Sequence, residues 1–240
     1  MGTNPVLARV HALWEGLAAV PVSFSSPEPV DVAISPAAMI CPQGWVGIVV
    51  LQGRAIMTAP DSETAAALRG AVTELSVEDL VDPEVLGTVL PLAGVLGPAT
   101  LAYVDEFDFR AAVSGSVSVD RLPADHPDLR RLENVAGEQE STESGLGELT
   151  SPAFTVQGRD GVVAAAGYRT WPSRTAHMSV LTAPENRGQG LARLTGSAAV
   201  AHALEAGLLP QWRARAPQSR RVAIALGFQE LGSQLSVRPS

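Results

Sequence analysis

The stretch Ser179-Val180-Leu181-Thr182-Ala183-Pro184-Glu185-Asn186-Arg187-Gly188-Gln189-Gly190-Leu191-Ala192 decides how this chain is read. Val180, Leu181 and Thr182 predict the end of a strand. Pro184 and the following polar and glycine residues turn the chain, and an alanine-rich run from Leu191 starts a helix. Exposed N–H groups at a helix start bind anions, and the helix dipole reinforces them. Gly188 and Gly190 let the main chain approach a ligand, because no Cβ intervenes. Arg187 adds a permanent charge with a forked donor. The stretch reads as a cradle for phosphate or diphosphate. The alternative is a tight turn whose glycines serve backbone geometry alone.

Other phosphate-binding patterns fit less well. A dinucleotide site needs Gly-x-Gly-x-x-Gly and an acid about 20 residues on. Here Arg193 stands at the third glycine position, and no acid ends the next apolar segment near Pro210–Arg213. A P-loop needs a lysine, and the chain has none, all 17 basic residues being arginine. Net charge is -8, which argues against sequence-independent binding of nucleic acid. An amine or cationic substrate is compatible with that charge. The 240 residues, 46% hydrophobic and 18% charged, are ample for a core and allow one large or two small domains. Cys41 is the one cysteine, and the four histidines are scattered, so neither a disulfide nor a metal centre is expected. No run is long enough to span a membrane without polar interruption. Val6, Val10, Leu13, Trp14 and Leu17 fall on one face of a helix from about Val6 to Val20. Arg9, His11 and Glu15 interrupt it, so it reads as a docked helix of a cytoplasmic protein rather than as a signal sequence.

The remaining pattern is α/β. Val30–Ile34 and Trp45–Met57 are β-rich, the second folded into a hairpin at Gln52-Gly53. A helix is expected from Asp61 to about Leu75, another from Asp82-Pro83 to the Gly97-Pro98 break, and a strand over Thr100–Val104. The Ser- and Gly-rich segment Ser114–Ser118 marks a domain boundary, dividing residues 1–118 from 119–240. Pro127-Asp128 opens a helix. Glu133, Glu138, Glu140, Glu143 and Glu148 follow with no basic residue among them, a solvated face. Strands are expected over Ala153–Gln157, Val162–Tyr168 and Arg174–Thr182. A helix over Leu191–Ala206 stops at Gly207. Then come a strand over Leu209–Arg213, a helix over Ser219–Leu226 stopped by Gly227, and final strands over Phe228–Val237.

Arg187, Gly190 and Ala192 match the pattern Gln/Arg-x-x-Gly-x-Gly/Ala, which resembles the acyl-CoA-binding motif of the GNAT N-acetyltransferase superfamily. The segment Ser219-x-x-Val222-x-x-x-Leu226-Gly227-Phe228 is similar to that family's last motif. The resemblance covers roughly residues 119–240 and implies a mixed-sheet GNAT fold there. The N-terminal half is expected as a smaller α/β domain. In layout it is similar to a degenerate GNAT-like lobe, as in the glycine N-acyltransferase-like group. The resemblance implies acetyl-CoA as cosubstrate, no metal, and a small-molecule or peptide amine as acceptor. Main-chain groups of Val180, Leu181 and Thr182 would hold the pantetheine arm. A β-bulge in that strand, a family feature, would point an N–H at the thioester oxygen. Gly188, Gln189, Gly190, Leu191 and Ala192, with Arg187, would hold the diphosphate.

Proton handling is less well marked. The tyrosine common before the family's Gly-Phe pair is replaced by Ala223. The asparagine that often precedes the last helix is replaced by Ala216. Ser219 is a candidate contact to the coenzyme arm and equally an N-cap. His177, on the motif strand, titrates near neutrality and is a candidate base, or a packed ring. Glu143 and Glu148 lie just before the first core strand and are candidates for receiving the amine proton, or solvated loop residues. Tyr168 and Trp171 are acceptor-lining or core aromatics. Three functions are open at this stage. They are an acetyl-CoA-dependent N-acetyltransferase, a non-catalytic acyl-CoA sensor, and a nucleotide enzyme, the last disfavoured by the missing glycine and lysine.

Overall fold

The computed structural model describes residues 5–113 and 115–240. Residues 1–4 and Ser114, which the expected domain limits include, lie outside the described residues. The chain forms two compact units, Met1–Ala102 with Glu230–Ser240, and Tyr103–Gln229. The division therefore falls earlier than the limit at 118/119 read from composition. Residues past 102 are tied into the second unit by main-chain bonds. Val104 N–H donates to the Pro210 carbonyl (3.4 Å), and Arg110 N–H donates to that of Leu226 (3.0 Å). Ala112 N–H donates to Ser197 Oγ (2.8 Å).

In the first unit, helix α1 (Pro5–Leu17) buries Val10, Leu13, Trp14 and Leu17, the stripe that its periodicity predicts. Strand β1 (Val30–Ile34) runs parallel to β3 (Arg54–Ala59), which forms a hairpin with β2 (Val46–Leu51). Gln52 and Gly53 both have positive φ, 49° and 74°, the requirement of a tight hairpin turn that matches strand twist. Helix α2 (Ser62–Val72) is capped by the Asp61 carboxylate, which accepts from Thr64 N–H at 2.8 Å. Helix α3 stops after Pro83–Leu86, and Leu92–Tyr103 is a long strand, β4. The expected helix up to Gly97 does not form. Gly94 and Gly97 are poor helix formers, and Gly94 sits against the Trp45 ring, where a Cβ would come within 3.0 Å.

The second unit runs β5 (Asp120–Leu122), α4 (Pro127–Ala136), α5 (Glu138–Ser144), β6 (Ala153–Gln157), β7 (Val162–Trp171) and β8 (Thr175–Thr182). It continues with α6 (Leu191–Glu205), β9 (Leu209–Ala214) and α7 (Pro217–Ala225). Its strands lie in the order β9-β8-β7-β6-β5, antiparallel except for the parallel pair β8–β9. Leu129 and Leu132 of α4, with Leu146, cover Ala165 and Leu181 on one face of this sheet. Helix α6 packs on the same strands, burying Leu191, Ala199, Val200 and Ala203. Each fully buried leucine contributes roughly 1.5–3 kcal/mol. The run Ala164-Ala165-Ala166-Gly167 keeps the middle of β7 thin, and Leu149 fills the space where a Gly167 side chain would be.

Both helix stops read from the sequence are made by the same device. Leu208 N–H donates to the Ala203 carbonyl (2.9 Å) and Gly207 N–H to that of Leu204 (2.8 Å). Phe228 N–H donates to Ala223 (3.1 Å) and Gly227 N–H to Ile224 (3.0 Å). These are paired Schellman bonds, with left-handed glycine at the turn. The last strand, β10 (Gln229–Pro239), does not stay with the unit that precedes it. Gly232–Val237 pair antiparallel with Leu51–Val46 of β2, so the first unit has the order β1-β3-β2-β10-β4.

Candidate active site

Strands β8 and β9 pair only where Thr175–His177 face Leu209–Gln211. Beyond that, β8 runs on to Thr182 and β9 to Ala214 without pairing to each other. A cavity of about 760 Å³ opens in this splay, lined by Met178, Val180 and Thr182 on one side and Trp212 and Ala214 on the other. That size suits a small organic ligand, and the carboxyl ends of diverging parallel strands are where such ligands bind. The expected bulge in β8 is absent. Its register with β7 is unbroken from Thr175 opposite Trp171 to Thr182 opposite Ala164. The splay does the work instead, because alternate main-chain groups of Met178–Thr182 point away from β7 and meet no strand there.

The turn after β8 has the geometry that its glycines require. Gly188 and Gly190 each have φ 77°, and a Cβ at either would meet nothing within 4 Å. The glycines therefore serve backbone conformation, and the space above them is open. Gly190 is the N-cap of α6 and no side chain caps that helix. Arg187 Nε donates to the Thr182 carbonyl (3.4 Å), and its guanidinium is ion-paired with Glu140 of α5. Thr182 lines the cavity, and its hydroxyl is buried without a hydrogen-bond partner. Every residue expected to hold the coenzyme lines this cavity except Gln189, whose side chain is exposed. Ser219 is not an N-cap. Helix α7 starts at Pro217 with Ala216 as its cap residue, and the Ser219 hydroxyl accepts from Trp212 Nε1 at 2.9 Å.

The candidate proton handlers are separated by the fold. Glu143 lines the cavity, while Glu148 and His177 do not. Glu143 is bound to Arg215 (3.2 Å), and Glu148 to Arg169. The acidic run is thus not simply a solvated face. Three of its glutamates meet arginines supplied from Arg169, Arg187 and Arg215, too far along the chain to be anticipated. Tyr168 is a core residue, buried with its hydroxyl 3.0 Å from His202 Nδ1.

His177 stacks on Trp171 with ring centres 4.2 Å apart, and its Nδ1 lies 2.7 Å from Gln211 Oε1. Gln211 is fully buried, and its amide nitrogen donates to the Tyr103 hydroxyl (3.0 Å). With the amide nitrogen so engaged, the amide oxygen faces the imidazole, which carries its proton on Nδ1. Burial, reinforced by the positive charge of Arg213, pushes the imidazolium down to about 3, although the Gln211 hydrogen bond opposes this. The ring is neutral at physiological pH and a weak proton acceptor. The unfolded chain takes up a proton at His177 near pH 6.5, and the folded one only near 3. Stability is therefore expected to fall as pH drops through that window, by up to about 1.4 kcal/mol per pH unit from this group. Denaturant unfolding across the window should show a shallower acid limb for His177→Gln. An identical limb in the variant would contradict the assignment.

Gln211, Arg213 and Glu140 were not anticipated. Gln211 was detectable as a polar residue inside the apolar Leu209–Trp212 strand, and Arg213 by its alternation with it. Nothing near Glu140 in the chain signals its partner.

Residues 150–233 match the family model described as GNAT acetyltransferase. No curated protein sequence matches the chain. A GNAT-family protein from Novosphingobium aromaticivorans is 20% identical, with TM-score 0.47, over 61% of this chain and 65% of that one. A GCN5-related N-acetyltransferase from Kribbella flavida is 17% identical, with TM-score 0.49, over 64% of this chain and 62% of that one. The chain thus spans less than two thirds of the length of either. An acetyltransferase from the GNAT family of Colwellia psychrerythraea is 12% identical, with TM-score 0.53, over 100% of this chain and 98% of that one. At such identity this last likeness concerns the fold alone, and it extends over both units. The stretch that matches the GNAT acetyltransferase family model, residues 150–233, is the part of this chain that contains the glycine turn and the splay of β8 and β9.

Proposed function

We propose that the protein is an acetyl-CoA-dependent N-acetyltransferase that passes an acetyl group to an amine by direct attack. The carrying observation is that one cavity joins the open edge of β8 to the left-handed glycine turn with Arg187. The residues present fit the coenzyme. The uncapped start of α6 and Arg187 suit a diphosphate. The edge of Val180–Thr182, unpaired to β9, suits an amide-bearing arm. Acetyl-CoA supplies the acyl group in activated form, as a thioester.

The chain holds the two reactants in register, which is the main source of rate in such a transfer. The amine nitrogen bonds to the acetyl carbon as the C–S bond breaks, and the sulfur keeps the electron pair. Glu143, which lines the cavity together with Glu140, takes the amine proton directly or through water after exchanging its bond to Arg215. Ala223 has no hydroxyl, so the thiolate is protonated from water. No helix among the described residues is long and apolar enough to cross a membrane. We place the reaction in the cytoplasm, where a lone thiol such as Cys41 stays reduced.

Ala223 and Ala216, standing where proton-handling side chains are common, favour a second reading as an acyl-CoA sensor. Calorimetric titration with CoA, followed by thiol release from acetyl-CoA over a panel of amines, separates the two. Amine-dependent thiol release is expected. CoA binding without turnover on any amine supports the sensor, and failure to bind CoA sinks both.

A further inference from the structure

We propose that α5 is a lid on the cavity, latched to both of its walls in the free protein and released from one of them when the coenzyme's diphosphate arrives. The proposal rests on the acetyltransferase reading above, because it needs Arg187 to take the diphosphate. Helix α5 buries none of its residues, and its sequence Glu-Gln-Glu-Ser-Thr-Glu-Ser is polar throughout. Its seven residues form a helix too short to be stable by itself. The chain on either side is anchored, since Leu132 of α4 and Leu146 both lie in the core. Between these anchors and α5 stand two glycines of positive φ, Gly137 at 94° and Gly145 at 63°. A Cβ at Gly137 would meet nothing within 4 Å. The Gly145 carbonyl accepts from Ser179 Oγ (3.3 Å), so the second hinge is the firmer one.

Gln139, Glu140, Glu143 and Ser144 of α5 line the cavity. The two carboxylates reach opposite sides of it. Glu140 is paired with Arg187, on the turn that follows β8, and Glu143 with Arg215, just past the end of β9 (3.2 Å). Helix α5 thus bridges the gap where the two strands part. All four side chains are partly exposed, so each pair is weak and readily exchanged. A diphosphate on Arg187 takes the place of the Glu140 carboxylate, and it does more than break one pair. Glu138, Glu140 and Glu143 give α5 three negative charges and no positive one. Like charges repel, so the turn that attracted α5 repels it once the diphosphate is bound. The Glu143 pair and the Gly145 hinge remain, and the helix swings about that end. Coenzyme binding therefore opens the cavity to the acceptor and precedes it.

Amide hydrogen exchange over residues 138–144 of the full chain, with and without saturating CoA, tests this. Exchange reads local opening directly. A ligand ordinarily protects the segment it touches, so the expected sign is distinctive. Exchange in α5 should rise by up to about fivefold with CoA, the worth of one exposed ion pair, while the start of α6 becomes protected. Glu140→Gln should show the raised rate without CoA and change little further with it. Glu143→Gln leaves the Arg187 pair in place, so it should raise the rate and keep the response to CoA. Unchanged or slower exchange in α5 at saturating CoA would overturn the proposal. So would a Glu140→Gln protein that exchanges like wild type, or a free wild-type protein whose α5 amides are already unprotected. CoA binding is measured by calorimetry on the same sample, and its absence would instead remove the acetyltransferase reading, and the lid with it.

Discussion

Gly227→Ala is expected to cost about 2–5 kcal/mol of stability, a large share of the roughly 5–15 kcal/mol that holds a typical protein folded. Gly227 has φ 93°, where an L-residue is strained. A methyl there would overlap the Asp108 carbonyl oxygen and come within 2.9 Å of its carbon and 3.3 Å of Arg110 N. All three are main-chain atoms, so relief needs movement of the 105–110 segment, which is held by the bond from Arg110 N–H to Leu226. The damage would reach the cavity. Phe228, next in sequence, packs edge-on to Trp212 at 5.4 Å, and Trp212 lines the cavity and holds Ser219. Thermal unfolding checks this, with about 2–4 °C expected per kcal/mol in a chain of this size. Gly70→Ala is the control. That glycine lies in α2 with nothing within 4 Å of its would-be Cβ, so the change should stabilise by about 0.5–1 kcal/mol. A Gly227→Ala protein as stable as wild type would mean that the α7 turn is wrongly described.

Arg187→Ala is expected to weaken CoA binding by about tenfold to a hundredfold, the loss of one charge-assisted contact to phosphate. The loss should shrink at high salt, where the charge is screened. In the free protein Arg187 is bound to Glu140, and both side chains are partly exposed. Such a pair contributes about 0–1 kcal/mol, so exchanging it for a diphosphate is cheap. Glu140→Gln should therefore act in the opposite sense, tightening CoA by up to about fivefold. Titration calorimetry of both variants at low and high salt measures these effects. Unchanged affinity in Arg187→Ala would remove the diphosphate from this turn.

The elements nearest the motif were the easiest to read, because their signals are local. Gly207 and Gly227 each follow an apolar helical run, and a left-handed residue there needs no distant partner to be recognised. The hairpin at Gln52-Gly53 is local in the same way. The helix expected between Asp82 and Gly97 failed because sheet pairing overrides a weak helical pattern interrupted by glycine. The domain limit failed because Ser–Gly composition marks loops, whereas a unit is defined by which backbone groups bond to which.

The sequence by itself determined the strand–turn–helix cradle, since positive φ at Gly188 and Gly190 and the guanidinium of Arg187 are properties of those residues and their order. Tertiary structure alone decided that β8 and β9 part after His177, that Glu140, Glu143 and Glu148 are each held by a distant arginine, and that His177 is stacked on Trp171 and kept neutral. Charge pairing and desolvation depend on separation in space, and spacing along a chain does not encode that separation.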